Sequence, residues 1–460
     1  MHDRQPADRR PAPDGRPVAL TVAGSDSGGG AGVQADIQTM AAHGAFATSA
    51  ITAVTAQHTR GVESTHVLPT GEVAAQIDAV VSDFDVGAIK TGMLGTAAVV
   101  ETVHDRASAV DAPLVVDPVM VATSGDRLLD RTAEAAYEDL VSAATLVTPN
   151  VDEAAVLTGA DPVDVESARV AAEELVELGA DAALVTGGHL DQAADGVVDV
   201  LVTGDGATVV DHPSIVDAAT HGSGCTLSAA IAARLAGGDD LVTAVEEGVA
   251  FTARAIRYYA NVGTGPGAVN HVVDARNEAA ARETLSAVES VVDDLVAADA
   301  RALVPEVGTN VVGALPHAET VPETVGVDGR LVRRHDGVRP TGGVRFGASS
   351  HVARFLLSAR EYDPALRFAL NCRFDEDVEA AVATLDWPVA AYDRESEPDP
   401  AVEDNTMGWG ARQAFGDATT RPVAVFDRGA VGKEPMCKLV AEDAATLSAR
   451  ALALLETVQE

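Results

Sequence analysis

The stretch THGSGCTLSAA, residues 220–230, places two glycines and a cysteine directly before an alanine-rich apolar run. At the start of a helix the first backbone N–H groups have no partner within the helix, and the helix dipole adds positive charge there. Gly222, Ser223 and Gly224 therefore predict an anion hole for a phosphoryl group in transfer. Cys225 would lie where the dipole lowers the pKa of its thiol. The alternative is a glycine-capped helix with a buried thiol.

A second glycine cluster, AGSDSGGGAGVQAD at 23–36, follows an apolar run and precedes a helix whose apolar face would use Val33, Ile37 and Met40. Glycines at such a junction allow a ligand to approach the backbone closely. A G-x-G-x-x-G pattern can be placed on the cluster, but glycine-dense stretches match it easily. The sequence contains no G-x-x-x-x-G-K-[ST] motif. A nucleotide triphosphate would therefore need another means of binding.

Asn150 and Glu153 form an N-x-x-E pattern between an apolar run and a helical segment. This spacing is a variant of the capping box, which is purely structural. It could also hold a carboxylate near metal-bound phosphates. On spacing alone, the cap is the favoured interpretation.

Short apolar runs that end in glycine or polar residues alternate with alanine- and glutamate-rich helical segments over about 17–272. This alternation predicts βαβ units around a mostly parallel sheet. Ligands bind beyond the carboxyl ends of such strands, and the unusual residues of this half fall at those ends. The runs are 18–24, 88–94, 113–120, 145–150 and 182–188.

The bulk composition constrains the partners and the compartment. The chain has 460 residues, which suggests two domains, and a formal net charge of −38. Only three of its 32 basic residues are lysine, a pattern that resembles adaptation to a salt-rich cytoplasm, as in halophilic archaea. No basic cluster suits nucleic acid, and no apolar run reaches the roughly 18 residues that span a membrane. Three cysteines and a polar N-terminus without a hydrophobic segment indicate a cytoplasmic protein.

Seven ordered motifs within 18–272 together resemble the ribokinase superfamily, specifically the hydroxymethylpyrimidine and hydroxymethylpyrimidine-phosphate kinases of thiamine synthesis. The resemblance implies a three-layer α/β/α domain, ATP and Mg²⁺ as cofactors, and two successive phosphorylations of an aminopyrimidine alcohol. The motifs are AGSDSGGGAGVQAD, ITAVTAQHTRGV, IKTGML, DPVMVATSGDRLL, VTPNVDEAAVLTG, GGH and THGSGCTLSAAIA.

The resemblance also implies residue roles. Asp36 and Gln57 would hydrogen-bond the aminopyrimidine, and Cys225 would be the catalytic residue of the anion hole. The remaining implied contacts are Gly24, Met93 and Val119 in the pyrimidine pocket, Thr220 and Asn150 near the ATP phosphates, and Glu153 and Asp117 in the magnesium region. Relatives often have lysine before GGH, where this chain has Thr186, which predicts weaker ATP binding or slower turnover.

Several motifs after residue 310 resemble the ThiN family of thiamine-phosphate synthases, which implies a smaller α/β domain. They are RFGASSHVARFLL, NCRF, YDRE, DNTMGWG and DRGAVGKEP. ThiN enzymes join hydroxymethylpyrimidine pyrophosphate to hydroxyethylthiazole phosphate. On this resemblance, His351 and Arg330 are the candidate catalytic residues. The candidate phosphate contacts are Arg345, Arg354, Arg394 and Lys433.

The predicted organisation is a disordered tail at 1–16, a kinase domain at 17–272, a linker at 273–282 and a synthase domain at 283–460. An amphipathic helix is predicted over 277–298. We expect small-molecule substrates, no nucleic acid or membrane partner, and a homo-oligomer. Three alternatives stay open: a pyridoxal-type small-alcohol kinase, a non-catalytic module that senses thiamine phosphate, and a scaffold for oligomerisation.

Overall fold

A computed structural model describes residues 12–120, 136–188, 196–215, 219–393, 406–416, 418, 420–430 and 432–460. The chain divides into two compact units, residues 1–273 and 274–460. Of the predicted tail, residues 12–16 are exposed. Within the described ranges, no helix combines the length and the apolar character that crossing a bilayer would demand.

The first unit is built on an eight-stranded sheet and a separate hairpin. The strands are β1 (Val18–Ala23), β2 (Phe46–Ile51), β3 (Ala53–His58), β4 (Gly61–Val67), β5 (Val86–Thr91), β6 (Leu114–Val116), β7 (Leu146–Val147), β8 (Ala182–Val185), β9 (Val197–Thr203) and β10 (Gly206–His212). The sheet order is β10-β9-β8-β7-β6-β5-β1-β2, and β3 pairs with β4. In this sheet β2, β1, β5, β6, β7 and β8 are parallel to one another. Strand β9 is antiparallel to β8, and β10 is antiparallel to β9.

Helices cover both faces of this sheet. They are α1 (Gly32–Ala42), α2 (Thr70–Asp83), α3 (Ala97–Ala107), α4 (Tyr137–Ser142), α5 (Val151–Thr158), α6 (Val165–Glu177), α7 (Ser223–Ala236) and α8 (Leu241–Arg257). One apolar core joins the sheet to α2 through α6, and another joins it to α1, α7 and α8. The unit is thus the three-layer α/β/α domain that the resemblance to the ribokinase superfamily implies.

Helix α1 lies where the glycine cluster predicts it, but its buried face differs from the expectation. Val33 and Met40 are buried, whereas Ile37 is 37% exposed. Asp36 and Thr39 take the buried positions instead. A sequence pattern of apolar residues misses this face because a buried carboxylate occupies it.

The second unit is a seven-stranded sheet with helices on both faces. Its helices are α9 (Val273–Ala279), which begins at the boundary, α10 (Ala281–Ala297), α11 (His351–Tyr362), α12 (Glu376–Thr384), α13 (Thr406–Gly416) and α14 (Ala444–Gln459). Its strands are β11 (Val311–Ala314), β12 (Thr324–Val327), β13 (Leu331–Arg334), β14 (Gly337–Pro340), β15 (Val344–Phe346), β16 (Phe368–Arg373), β17 (Val389–Ala391), β18 (Ala424–Asp427) and β19 (Met436–Ala441).

The sheet order of this unit is β15-β12-β11-β16-β19-β18-β17, and β13 pairs with β14 as a hairpin. Only the β17–β18 pair of the sheet is parallel, in the part of the chain that the structure describes. One face packs on α10, α12 and α14, and the other on α11 and α13. The predicted amphipathic helix is confirmed as α10, which buries Val288, Val291, Val292 and Leu295. It begins at Ala281 rather than at 277, because residues 277–279 belong to α9.

Candidate functional sites

The two glycine clusters of the first unit meet. Gly222 has a left-handed backbone (φ +87°), and a Cβ built on it would lie 1.8 Å from the carbonyl oxygen of Gly30. Only glycine fits this position, because any side chain would overlap the facing loop. The carboxylate of Asp26 fixes that loop by accepting N–H groups from Gly28, Gly30 and Ala31 at 2.7–3.0 Å.

Gly222 is also the N-cap of α7, the helix that the sequence predicts to begin near Cys225. The N–H of Ser223 donates to the carbonyl oxygen of Thr220 at 3.0 Å. Gly224 and Cys225 follow in the first turn, where an N–H has no acceptor within the helix. This arrangement leaves donors and the positive helix end available to an anion.

Cys225 is half-buried, and its thiol does not behave as the sequence predicts. Burial raises the pKa of Cys225 to about 12, against the opposing effect of the nearby Lys90 ammonium, and the carboxylates of Asp36 and Asp117 raise it further. The expectation that the helix dipole lowers this pKa is therefore wrong. A thiol with such a raised pKa stays protonated at neutral pH.

A buried ion cluster lies beside this thiol, and the sequence analysis did not assign it a role. Lys90 is fully buried, and its Nζ lies 2.9 Å and 3.0 Å from the two carboxylate oxygens of Asp36. Asp117 Oδ2 is 3.7 Å from the same nitrogen. Lys90 is one of only three lysines in the chain and lies in the IKTGML motif, a signal that could have identified it.

The environment of Asp36 differs from the expected direct contact with a pyrimidine. Its side chain is fully buried, and both oxygens are engaged by Lys90 and by the Thr21 hydroxyl. In this state the carboxylate has no open face for a ligand. The residue anchors the cluster beneath Cys225 instead.

Other candidate pyrimidine contacts follow the ends of β1 and β5 or lie on β3. The N–H of Gly24 donates to the carbonyl oxygen of Met93 at 3.1 Å, and Met93 Sδ occupies the space next to the missing side chain. Gln57 Nε2 lies 3.4 Å from Nε2 of His221, the residue before Gly222. Val119, beyond β6, is half-buried.

Asn150 and Glu153 make the complete capping box of α5. Asn150 Oδ1 accepts the N–H of Glu153 at 2.9 Å, and Glu153 Oε2 accepts the N–H of Asn150 at 3.0 Å. Burial raises the pKa of Glu153 to about 8, and the neighbouring Asp117 carboxylate adds to the shift. Glu153 therefore belongs both to the helix cap, with Asn150, and to a pair of neighbouring buried carboxylates, with Asp117.

Thr220 and Thr186 are two further positions that the sequence singled out. Thr220 is exposed. Thr186, which replaces the lysine of relatives, follows β8 and forms a β-bridge with Asn150. No basic side chain is contributed by position 186.

The candidate residues of the second unit are more exposed. The guanidinium of Arg330 donates to the carbonyl oxygen of Val307 at 2.7 Å, and its backbone N–H donates to Thr341 Oγ1 at 2.8 Å. Exposed His351 begins α11, with its Nδ1 3.3 Å from the Ser350 hydroxyl. Arg345, Arg354 and Lys433 are exposed, and Arg345 pairs with Asp328 at 2.9 Å. Arg394 lies outside the described residues.

A second buried lysine cluster was also missed by the sequence analysis. Lys438 Nζ lies 2.8 Å from the Tyr392 hydroxyl and 3.4 Å from Asp427 Oδ2. It also lies 5.1 Å from the ring centres of Phe355 and Tyr392. Phe355 is one helical turn beyond His351. The scarcity of lysine is again the sequence signal that could have identified this group.

Both units match known families. The chain belongs to the phosphomethylpyrimidine kinase family, whose profile matches residues 26–270. The family "Thiamine-phosphate synthase ThiN" matches residues 287–453. The chain therefore carries a phosphomethylpyrimidine kinase domain followed by a domain that matches the ThiN family of thiamine-phosphate synthases.

Individual relatives match the first unit. The chain is 45% identical over 270 residues to the thiamine biosynthesis bifunctional protein ThiED of Geobacter sulfurreducens, covering 58% of this chain and 55% of that protein. It is 45% identical over 256 residues to the hydroxymethylpyrimidine/phosphomethylpyrimidine kinase of Streptomyces coelicolor, covering 55% and 94%. An ADP complex of Bacillus subtilis pyridoxal kinase superposes with a TM-score of 0.52 at 32% identity, covering 57% and 99%.

Proposed function

We propose that this chain phosphorylates 4-amino-5-hydroxymethyl-2-methylpyrimidine and then its phosphate with ATP, and condenses the resulting pyrophosphate with hydroxyethylthiazole phosphate to thiamine phosphate. The observation that carries the kinase step is the junction of the two glycine clusters, where α7 begins beside Cys225. The presence of both family domains in one chain supports the sequence of reactions, because the expected product of the first is the expected substrate of the second.

In the kinase step, the pyrimidine alcohol oxygen forms the new P–O bond while the bond to ADP breaks. The first-turn N–H groups of α7 face the oxygens of the migrating phosphoryl group and stabilise their charge. Such transfers depend on positioning and electrostatics more than on covalent chemistry by the protein. A neutral thiol at Cys225 fits this requirement as a group that orients the hydroxyl. Gln57, Gly24, Met93 and Val119 would line the pyrimidine pocket.

The carboxylates of Asp117 and Glu153 fit a magnesium ion. Carboxylate oxygens are ligands that Mg²⁺ prefers. Burial raises the pKa of both carboxyl groups, and a neighbouring cation would favour their ionised forms, which supports this assignment. Across the described ranges, no cluster of three or more histidine, cysteine or acidic residues forms a ready metal cage. Phosphate oxygens of ATP and water would complete the coordination, and the ion would neutralise phosphate charge. Asn150 and Thr220 would lie near those phosphates.

In the synthase step, the thiazole nitrogen forms a C–N bond to the pyrimidine methylene, and pyrophosphate leaves with the electron pair of the broken C–O bond. Arginine binds phosphate through paired N–H groups and can stabilise the leaving charge. Arg330 and His351 are the proposed catalytic residues. The proposed phosphate contacts are Arg345, Arg354, Arg394 and Lys433.

The test uses the purified full chain with the pyrimidine alcohol and Mg-ATP. Two phosphoryl transfers would consume about two ATP per pyrimidine. Adding hydroxyethylthiazole phosphate should then give thiamine phosphate and release pyrophosphate. Absence of ATP consumption with the pyrimidine together with rapid turnover of pyridoxal would overturn the substrate assignment. Consumption of ATP without thiamine phosphate would favour a sensing role for the second unit.

We also propose a cytoplasmic homo-oligomer adapted to high salt, with domain boundaries at 17–272 and 283–460. The acidic, lysine-poor composition supports the salt adaptation. All three cysteines are free thiols, as expected in a reducing compartment. Light scattering of the purified protein at high salt measures the oligomeric state.

A further inference from the structure

Two buried asparagines of the second unit face each other between neighbouring strands. Asn310 directly precedes β11 and Asn371 lies on β16, with residue exposures of 6% and 7%. Asn371 Oδ1 accepts the backbone N–H of Asn310 at 2.8 Å. Neither asparagine belongs to the candidate residues, although Asn371 lies in the NCRF motif. A buried amide side chain is stable when both its N–H donors and its oxygen acceptor have hydrogen-bond partners.

Asn310 exchanges hydrogen bonds with the N–H and the carbonyl oxygen of Val327 in β12, and Asn371 Nδ2 lies 3.8 Å from Met436 Sδ. Two further hydrogen bonds of the pair go to the turns beside Arg330. Asn310 Nδ2 donates to the carbonyl oxygen of Gly329, the residue before Arg330, at 3.0 Å. Asn371 Nδ2 donates to the carbonyl oxygen of Gly308 at 3.1 Å. Gly308 follows Val307, whose own carbonyl oxygen accepts the Arg330 guanidinium. The amide pair thus fixes the backbone beside Arg330 and the turn that receives its side chain.

A third residue secures the same turn from the protein surface. The carboxylate of Glu434, in the DRGAVGKEP motif, accepts the N–H groups of Glu306 and Val307 at 2.9 Å and 3.3 Å. Charge-assisted hydrogen bonds of this kind are stronger than neutral ones. The acceptor for Arg330 is therefore held on both sides.

Asn310 also lies against the loop that leads to His351. A Cβ built on Gly326 of β12 would lie 3.2 Å from Asn310 Oδ1 and 3.1 Å from Cβ of Ser349. Because Gly326 has no side chain, Ser349 and the Asn310 amide can approach the same spot. Ser349 is buried and stands two residues before His351.

We propose that Asn310 and Asn371 are positioning residues of the synthase, which hold Arg330 and the loop before His351 in their reactive arrangement. This inference depends on the proposed synthase function. The competing explanation is a buried amide pair that contributes to folding alone. The two explanations differ in whether loss of the amide lowers the synthase rate by displacing Arg330.

The test uses Asn371→Asp and Asn310→Asp in the full chain. Aspartate keeps the shape and the Oδ1 acceptor but replaces the amide donor by a second acceptor oxygen. The carbonyl oxygen of Gly308 therefore loses its partner in Asn371→Asp, and those of Val327 and Gly329 lose theirs in Asn310→Asp. We expect the synthase kcat to fall about tenfold to a hundredfold, as displaced catalytic groups do. Pyrimidine phosphorylation by the same molecules should stay unchanged and serves as the internal reference.

The matched control is Asn277→Asp. Asn277 is equally buried in the same unit, and its amide binds Glu323 and the N–H of His317 rather than an element that carries Arg330. A synthase loss in N371D no greater than in N277D would overturn the inference.

The decisive readout is a double-mutant cycle with Arg330→Ala. If Asn371 acts through Arg330, N371D should cause little further loss in the R330A background. Independent, multiplicative effects would overturn the inference. If N371D lowers the melting temperature so far that the unit unfolds, Glu434→Ala replaces it, because this half-buried side chain supports the same turn from outside the core. An inactive wild-type synthase would instead refute the proposed function.

Discussion

The carbonyl oxygen of Gly30 occupies the space that a side chain on Gly222 would need. The distance from that oxygen to a Cβ built on Gly222 is 1.8 Å, and the backbone of Gly222 is left-handed. The two residues are 192 positions apart, yet their contact brings the two glycine clusters into one site. The geometry of the anion hole therefore requires that residue 222 has no Cβ atom.

The first prediction concerns Gly222→Ala. The added methyl must push the loops apart, so we expect at least a hundredfold loss of pyrimidine kinase kcat, in line with the effect of about 1 Å of misplacement. The control is Gly44→Ala, where φ is +81° but nothing lies within 4 Å of the new Cβ. It imposes the same backbone strain without the clash. Equal activity losses in the two variants would show that the contact with Gly30 is unimportant.

The second prediction concerns the reactivity of Cys225. Its pKa of about 12 means that the thiolate is scarce at neutral pH, so iodoacetamide should label it far more slowly than a free thiol. The labelling rate should rise steeply above pH 9. The Cys225→Ser variant identifies the signal, because Cys372 and Cys437 are fully buried. Rapid labelling at pH 7 would show a lowered pKa.

The same shift has a consequence for stability. The folded-state pKa is raised above the ordinary value of 9.0, so the protonated thiol stabilises the folded protein fully below pH 9. This contribution is lost as the pH rises from 9 towards 12. Unfolding by urea at pH 8 and pH 10.5 should show a smaller decline for C225S than for the wild type.

The third prediction concerns Lys90. Replacing it by methionine leaves Asp36 and Asp117 without their buried cation, and breaking such a pair costs about 3–5 kcal/mol of unfolding free energy. Urea denaturation measures this loss. Adding Asp36→Asn to K90M should restore part of the stability, because the uncompensated charge is removed. The exposed Lys433→Met is the control, expected within about 0.5 kcal/mol of the wild type. A K90M protein as stable as K433M would contradict the proposed charge balance.

The sequence predicts the parallel sheet and the glycine-rich site because both leave local patterns. The apolar runs at 18–24 and 182–188 became β1 and β8, and the helix start at Ser223 follows from its glycines. The contact between Gly30 and Gly222 leaves no such pattern in the sequence, because it depends on the tertiary packing of two distant loops. Likewise, the dipole argument for Cys225 omitted burial, which is the largest cause of its raised pKa.

The burial of charged side chains was also not predicted from the sequence. Lys90 and Lys438 look like surface residues by type, and only their folded environment shows them enclosed with Asp36 and Asp427. In a chain with three lysines, two of them in buried ion clusters, rarity was the available signal. The asparagine pair of the second unit left no signal of spacing at all, because strand pairing brings together residues 61 positions apart.

The fourth prediction concerns salt. With a formal net charge of −38, self-repulsion destabilises the folded chain at low ionic strength. The screening length falls from about 10 Å at 0.1 M salt to about 3 Å at 1 M, so the melting temperature should rise steeply between 0.1 and 1 M KCl and then level off. The control is the same titration near pH 4.5, the pI of the sequence, where the net charge vanishes and salt should have little effect. A melting temperature independent of KCl at pH 7 would show that the acidic surface is not an adaptation to salt.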